Sequence, residues 1–311
     1  MSKIEYLRVI VNSECNLSCF FCHNEGEECK YFVREKLDVN ILEKMIMILV
    51  NNGIKKIKFL GGEPTLYKDL PRLIEKINSN ELDISIITNG IASKNTLQRF
   101  INAGVNRINI SLHGFNKDVF KEVTGGTLQQ LNQTLETIDY LNNNRKLGKV
   151  NYVLLKGVNE CEFIDVLRYV NDKNLVLDVL NYLDTDSSKI IKYYYSFEEI
   201  MAFIKAIYEI DKIKTYINQF SLPSTRIYIK NGGVINLKTT SLNSVHFLKS
   251  CDSCGKKEYC TEGISAIRLT TEGIIKPCIF RDDNILDLKE LMKNKSFEEV
   301  DELVKEYFEN L

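Results

Sequence analysis

No stretch of the 311-residue sequence is apolar over membrane-spanning length. Its opening, MSKIEYLRVIV, lacks the long apolar stretch and small-residue cleavage site of a secretory signal. Charge of one sign is missing too: Lys plus Arg number 41 and Asp plus Glu 42, a net charge of −1. That balance argues against a nucleic-acid partner or an anionic membrane surface. Internal repeats and low-complexity tracts are absent. These absences together predict a cytoplasmic globular protein of one large domain or two smaller ones, its 44% apolar content ample for a buried core. Nine cysteines then need a reason. Cytoplasmic thiols stay reduced, so close cysteine spacings point to metal or redox sites before disulfides.

Along the chain, strand-like and helix-like patterns alternate. Strands are predicted at 4–12, 54–60, 82–88, 105–112, 149–155 and 175–183. Helices are predicted at 37–53, 69–80, 93–104, about 128–146 and 162–172. Such alternation predicts a parallel sheet with crossover helices, whose chemistry gathers at the C-terminal strand ends. The unusual residues fall there: Cys15 after the first strand, GGEP (61–64) after the second, TNG (88–90) after the third, and SLHG (111–114) at the end of the fourth. Beyond about 215 the character changes. Residues 225–240 read as a hairpin turning at Asn231-Gly232, a cysteine-rich segment spans 251–278, and charged helices close the chain from about 286 to 309.

The cysteines form two groups and two strays. CNLSCFFC supplies Cys15, Cys19 and Cys22 within eight residues. Soft thiolates select zinc or iron–sulfur clusters. Structural zinc wants four closed ligands, which His23 or Cys29 would have to complete, whereas three cysteines suit a four-iron cluster with one iron open to an outside ligand. Cys251, Cys254, Cys260 and Cys278 form the second group, either a zinc knuckle or a second cluster. Cys29 and Cys161 read as structural thiols by default; a radical-quenching role is a further reading for Cys161.

CNLSCFFC, with Phe21 before the third cysteine, resembles the motif of the radical S-adenosylmethionine (radical SAM) superfamily. GGEP, TNG and ISLHG resemble its later motifs, and the resemblance runs over residues 4–183. It implies a partial (β/α)6 TIM-like barrel over residues 1–214, with 215–311 a C-terminal extension binding an auxiliary [4Fe-4S] cluster. It further implies that Cys15, Cys19 and Cys22 hold a [4Fe-4S] cluster whose open iron is chelated by S-adenosylmethionine. Reductive cleavage then yields a 5′-deoxyadenosyl radical that abstracts a substrate hydrogen, with a flavodoxin or ferredoxin as electron donor. Phe21, Gly61, Gly62, Glu63 and Ser111 are the implied cofactor contacts: the glycines for close backbone approach, Glu63 for the SAM amino group, Ser111 for its carboxylate. His23 and His113 carry no assignment.

IRLTTEGIIKPCIFRDDNILDLKELM (267–292) resembles the C-terminal part of the molybdenum-cofactor GTP 3′,8-cyclases. That resemblance implies nucleotide contacts at Arg8, Lys58, Thr88, Lys149 and Arg268, cations and a hydroxyl suited to phosphoryl oxygens. The chain departs from that family at Cys260, an extra cysteine, at Ala266, where an arginine stands in the family, and in its ending EYFENL. The Cys-x2-Cys-x5-Cys spacing also resembles peptide-modifying radical SAM enzymes, although the 14 residues before Cys15 leave no room for a separate peptide-recognition domain. The substrate is therefore expected to be a purine nucleotide, with radical modification of a ribosomal peptide as the alternative and a non-catalytic iron–sulfur or SAM-binding regulator as a third reading.

Overall fold

The computed structural model describes residues 4–26, 37–184, 187–218, 221–238, 249–255, 260 and 266–311. Cys29 lies outside the described residues. Six strands form the centre: β1 (Tyr6–Ile10), β2 (Lys56–Leu60), β3 (Asp83–Thr88), β4 (Arg107–Ser111), β5 (Leu147–Val153) and β6 (Val176–Leu180). They lie side by side in sequence order and are all parallel. The crossovers are α1 (Val39–Asn51), α2 (Leu70–Ile77), α3 (Lys94–Asn102), α4 (Lys117–Thr124) with α5 (Leu128–Asn143), and α6 (Phe163–Asp172). Helix α4 was not evident from the periodicity. It starts at Asn116, whose side chain accepts from the N–H groups of Asp118 and Val119, an N-cap that satisfies two otherwise orphaned donors.

The extension is not a separate sheet. After α7 (Ser187–Tyr193) and α8 (Phe197–Ile207), strands β7 (Ile210–Asn218), β8 (Ser221–Ile229) and β9 (Val234–Lys238) join the β6 edge, β9 running parallel to β6. The β8–β9 hairpin turns at Asn231-Gly232 as the sequence predicts, and residue 214 lies inside β7. The chain then passes α9 (Lys249–Asp252) and returns to the opposite edge, where β10 (Ile267–Leu269) pairs parallel with β1, followed by β11 (Ile274–Lys276) and β12 (Leu286–Asp287). Helices α10 (Leu288–Asn294) and α11 (Phe297–Asn310) close the chain. Among the described residues the result is one twelve-stranded sheet. Among the described residues, no helix is long and apolar enough to cross a membrane.

Period-two alternation separates the two faces of this sheet. Leu7, Val9, Ile57, Phe59, Ile84, Ile86, Ile108, Ile110, Val150, Tyr152, Leu177 and Val179 are buried in one continuous core with the helices. The residues between them face the other way and are polar: Arg8, Lys58, Ser85, Asn109, Lys149, Asn151 and Asp178. Register fixes their neighbours. Arg8 lies between Arg268 and Lys58, and Lys58 beside Ser85. Asn151 lies beside Asp178, and Asp178 beside Asn236. The inner face of the partial barrel is thus a polar layer that includes four charged residues, because the helices take up the apolar half of every strand.

Candidate functional site

The loop after β1 carries the three cysteines and is fastened to two neighbours. Against β2, Gly62 N–H donates to Asn12 O at 2.8 Å, Glu63 N–H to Glu14 O at 2.6 Å, and Asn12 Nδ2 to Glu63 O at 2.9 Å. Against α4, Ser18 N–H donates to Thr124 O at 2.9 Å and Phe20 N–H to Val123 O at 3.2 Å. The two glycines are dictated by the first contact. A Cβ on Gly61 would stand 2.4 Å from Asn12 Oδ1, and one on Gly62 2.2 Å from Glu14 O. Only glycine lets the chains lie this close. The close approach is made by the protein's own segment leading into Cys15.

Glu63 is buried and fully engaged. Its carboxylate accepts from Thr65 N–H at 3.0 Å, Thr65 Oγ1 at 2.7 Å, Thr88 Oγ1 at 2.6 Å and Asn89 N–H at 2.8 Å. Burial pushes its pKa up against the lowering effect of these donors. Glu63 and Thr88, one implied at the cofactor and the other at the substrate, are here partners that tie the β2 rim to the β3 rim.

A cavity of about 270 Å³ opens at this rim. Its walls include Cys15, Cys19, Phe21, Cys22, Gly61, Gly62, Glu63, Thr88, Ser111 and Arg8, ten of the residues singled out in the sequence. Burial, followed by the nearby Glu63 and Cys22, pushes the Cys15 thiol up to about 11. Among the described residues no three His, Cys, Asp or Glu side chains gather tightly enough for a single metal ion. A four-iron cluster makes a different demand, one thiolate on each of three irons, and three thiols on one short pinned loop around a common cavity fit it. Cys15, Cys19 and Cys22 would hold that cluster, and Gly61, Gly62 and Ser111 line the same cavity.

The cations are arranged less simply. Arg8 and Arg268 share the carboxylate of Glu25: Oε1 takes Arg8 Nη2, and Oε2 takes Arg268 Nε at 3.1 Å. Burial raises the Glu25 pKa, but Arg8 and Arg268 outweigh it and hold the group at about 2. Lys149 pairs with Asp178, which also accepts from Asn236 Nδ2 at 2.7 Å. Lys58 lies 5.4 Å from the Tyr6 ring centroid and is not part of the cavity lining. Of the implied nucleotide contacts, Arg8 and Thr88 line the cavity, Arg268 reaches it through Glu25, and Lys58 and Lys149 stand apart on the same inner face.

His113 and His23, to which no motif assigns a role, both line the cavity. His113 Nδ1 accepts from Val153 N–H at 3.0 Å, so its remaining proton sits on Nε2, and its ring meets the edge of Phe21 at 4.8 Å. Burial pushes its pKa down to about 3, leaving it neutral. Cys161 is exposed, away from the cavity. In the second group, Cys251, Cys254, Cys260 and Cys278 are all half-buried. Cys254 N–H donates to Cys251 O at 3.2 Å in a tight turn, and Phe280 N–H to Cys278 Sγ at 3.4 Å.

Residues 9–170 match the model of the Radical SAM superfamily. The chain is 29% identical over 300 residues to a probable GTP 3′,8-cyclase of Methanococcus aeolicus, covering 94% of this chain and 91% of that protein. It is 30% identical over 303 residues to one of Methanocaldococcus jannaschii, covering 95% and 92%. Among solved structures, Streptococcus suis SuiB bound to S-adenosylmethionine has a TM-score of 0.62 at 18% identity over 89% of this chain. SuiB bound to its precursor peptide SuiA gives 0.63 at 18% over 90%. This chain spans 60% of the SuiB chain's length, and the likeness carries the fold alone. With the family motifs on one rim and the match covering half of its length, the chain belongs to the radical SAM superfamily of enzymes.

Proposed function

We propose that this enzyme cleaves S-adenosylmethionine reductively and uses the resulting radical chemistry on a purine nucleotide, in the manner of the GTP 3′,8-cyclases. The observation that carries the nucleotide is the row Arg268–Arg8–Lys58, side by side on β10, β1 and β2 and facing the interior beneath the cysteine loop. Guanidinium forks and an ammonium so placed suit phosphoryl oxygens. When bound, a four-iron cluster with S-adenosylmethionine supplies the electron and the hydrogen-abstracting chemistry. The protein's part is positional: Cys15, Cys19 and Cys22 ligate, Ser111 orients the methionine carboxylate, and the Glu63–Thr88 network holds the rim rigid. His113 presents a neutral imidazole to the cavity.

Cys251, Cys254, Cys260 and Cys278 hold an auxiliary cluster in this reading, and a flavodoxin or ferredoxin serves as electron donor. The extra Cys260 and the alanine at 266 favour the second reading, modification of a ribosomal peptide. The test is anaerobic reconstitution, reduction with dithionite, and assay of 5′-deoxyadenosine formation with and without GTP. Formation of 5′-deoxyadenosine together with GTP consumption supports the reading. Cleavage of S-adenosylmethionine that no nucleotide accelerates removes the nucleotide and leaves the peptide.

A further inference from the structure

Glu25 is in none of the sequence motifs, yet its carboxylate sits between two interior guanidiniums. Arg8 and Arg268 come from strands at opposite ends of the sequence, their side chains only 16% and 3% exposed. The carboxylate bridging them arrives from the turn three residues past Cys22. That turn is unusual: Asn24 and Glu25 have successive φ values of 49° and 52°, the left-handed region that residues with a Cβ rarely enter and that is retained where surrounding contacts impose it. Glu25 N–H donates to His23 Nδ1 at 3.2 Å, and the carboxylate anchors the other end of the turn. Glu25, Arg8 and His23 all line the cavity of the cysteine loop.

We propose that Glu25 is a tethered plug in the Arg8–Arg268 fork, which the substrate's own anionic group must displace on binding. This rests on the nucleotide reading for its choice of phosphate as that group. A side chain held beside its partners competes at a high effective concentration. The affinity of any ligand that uses the fork is divided by the small fraction of molecules in which the fork is open. Simple monoanions are thereby kept out, while a polyphosphate that forks onto both guanidiniums and extends to Lys58 gains enough charge-assisted contacts to enter. Ligands in the cavity that make no use of the fork pay no such penalty. Displacement also releases the anchored end of a turn that begins two residues after Cys22, so arrival of substrate is linked through the backbone to the cluster-bearing loop.

The test uses the reconstituted full-length protein and its Glu25→Gln and Glu25→Ala variants, with inorganic tripolyphosphate as probe in titration calorimetry. Iron content and S-adenosylmethionine affinity should match the parent, the near-isosteric Gln variant serving if Ala disturbs the turn. Both variants should bind tripolyphosphate at least tenfold more tightly than the parent, and a second change, Arg268→Ala, should cancel the gain. A merely structural Glu25 predicts equal or weaker binding; that result, or no tripolyphosphate binding by any of the proteins, overturns the plug. GTP titrated in parallel separates the two proposals. A tripolyphosphate gain with no GTP binding keeps the plug and removes the nucleotide, and equal GTP affinity in all three proteins removes the plug and keeps the nucleotide.

Discussion

Replacing Glu63 by Ala should destabilise the rim of the sheet before it affects any ligand. Four donors from Thr65, Thr88 and Asn89 converge on this one carboxylate. Hydrogen bonds to a charged group contribute roughly 1.5–3 kcal/mol each, but the cost of burying the carboxylate offsets much of the sum. The alanine variant leaves the donors without that acceptor inside the rim; buried donors left unsatisfied cost about 1–3 kcal/mol each, and with Thr88 and Asn89 buried and Thr65 half-buried the total comes to about 3–5 kcal/mol. Unfolding entropy of about 2.1 cal/mol/K per residue over 311 residues amounts to about 0.65 kcal/mol per degree, so the melting temperature should fall by about 5–8 °C. Glu63→Gln keeps one carbonyl oxygen but turns an NH2 toward a donor, and should fall in between. Thermal unfolding of the cluster-free protein isolates this effect from cofactor binding, and iron content and S-adenosylmethionine affinity after reconstitution complete the comparison. If Glu63→Ala melts within about 1 °C of the parent yet no longer binds S-adenosylmethionine, the carboxylate is reserved for the ligand and the structural reasoning fails.

Gly62→Ala, whose Cβ would meet the Glu14 carbonyl, should separate the cysteine loop from β2 and reduce iron incorporation; full iron loading would refute the claim of close packing. Replacing Cys15, Cys19 and Cys22 together by Ala should remove about half of the roughly eight irons that two four-iron clusters bring and abolish S-adenosylmethionine cleavage, while zinc at the second site would exclude the auxiliary cluster. His113 has a folded pKa near 3 against an ordinary 6.5. Below pH 6.5 the unfolded chain therefore takes up a proton that the folded chain refuses, and stability falls with pH by about 2 kcal/mol between 6.5 and 5. His113→Asn should lack that component, as denaturant titrations at the two pH values would show. Lys58→Ala should weaken GTP binding by roughly tenfold to a hundredfold, one charge-assisted contact, with S-adenosylmethionine affinity unchanged; equal GTP affinity would take Lys58 out of the nucleotide site.

The central elements were legible in the sequence because they rest on local rules. Strand alternation and helical spacing at β1 to β6 survive in the structure within a few residues, since a strand that faces helices on one side must alternate whatever its neighbours are. The cysteine loop was legible for a similar reason: three ligands for one cluster must lie within a few residues when a single loop supplies them all. GGEP stands out as a motif, but the physical need for its glycines, the approach of residues 12–14, appears only once β1 and β2 are paired.

Which charge meets which is settled only in the folded chain. The four cations suggested by the sequence imply an unpaired positive site, yet Arg8 and Arg268 are bridged by Glu25, 17 residues from one and 243 from the other, and Lys149 is paired with Asp178, 29 residues away. The C-terminal strands likewise divide between the two edges of the sheet, β7–β9 at β6 and β10–β12 at β1. Hydrophobic periodicity records which face of an element is buried and carries no information about its lateral partner. Ion pairs between distant residues and strand order are set by the register of strands that meet only in the folded chain, and that register is what brings Arg268 beside Arg8.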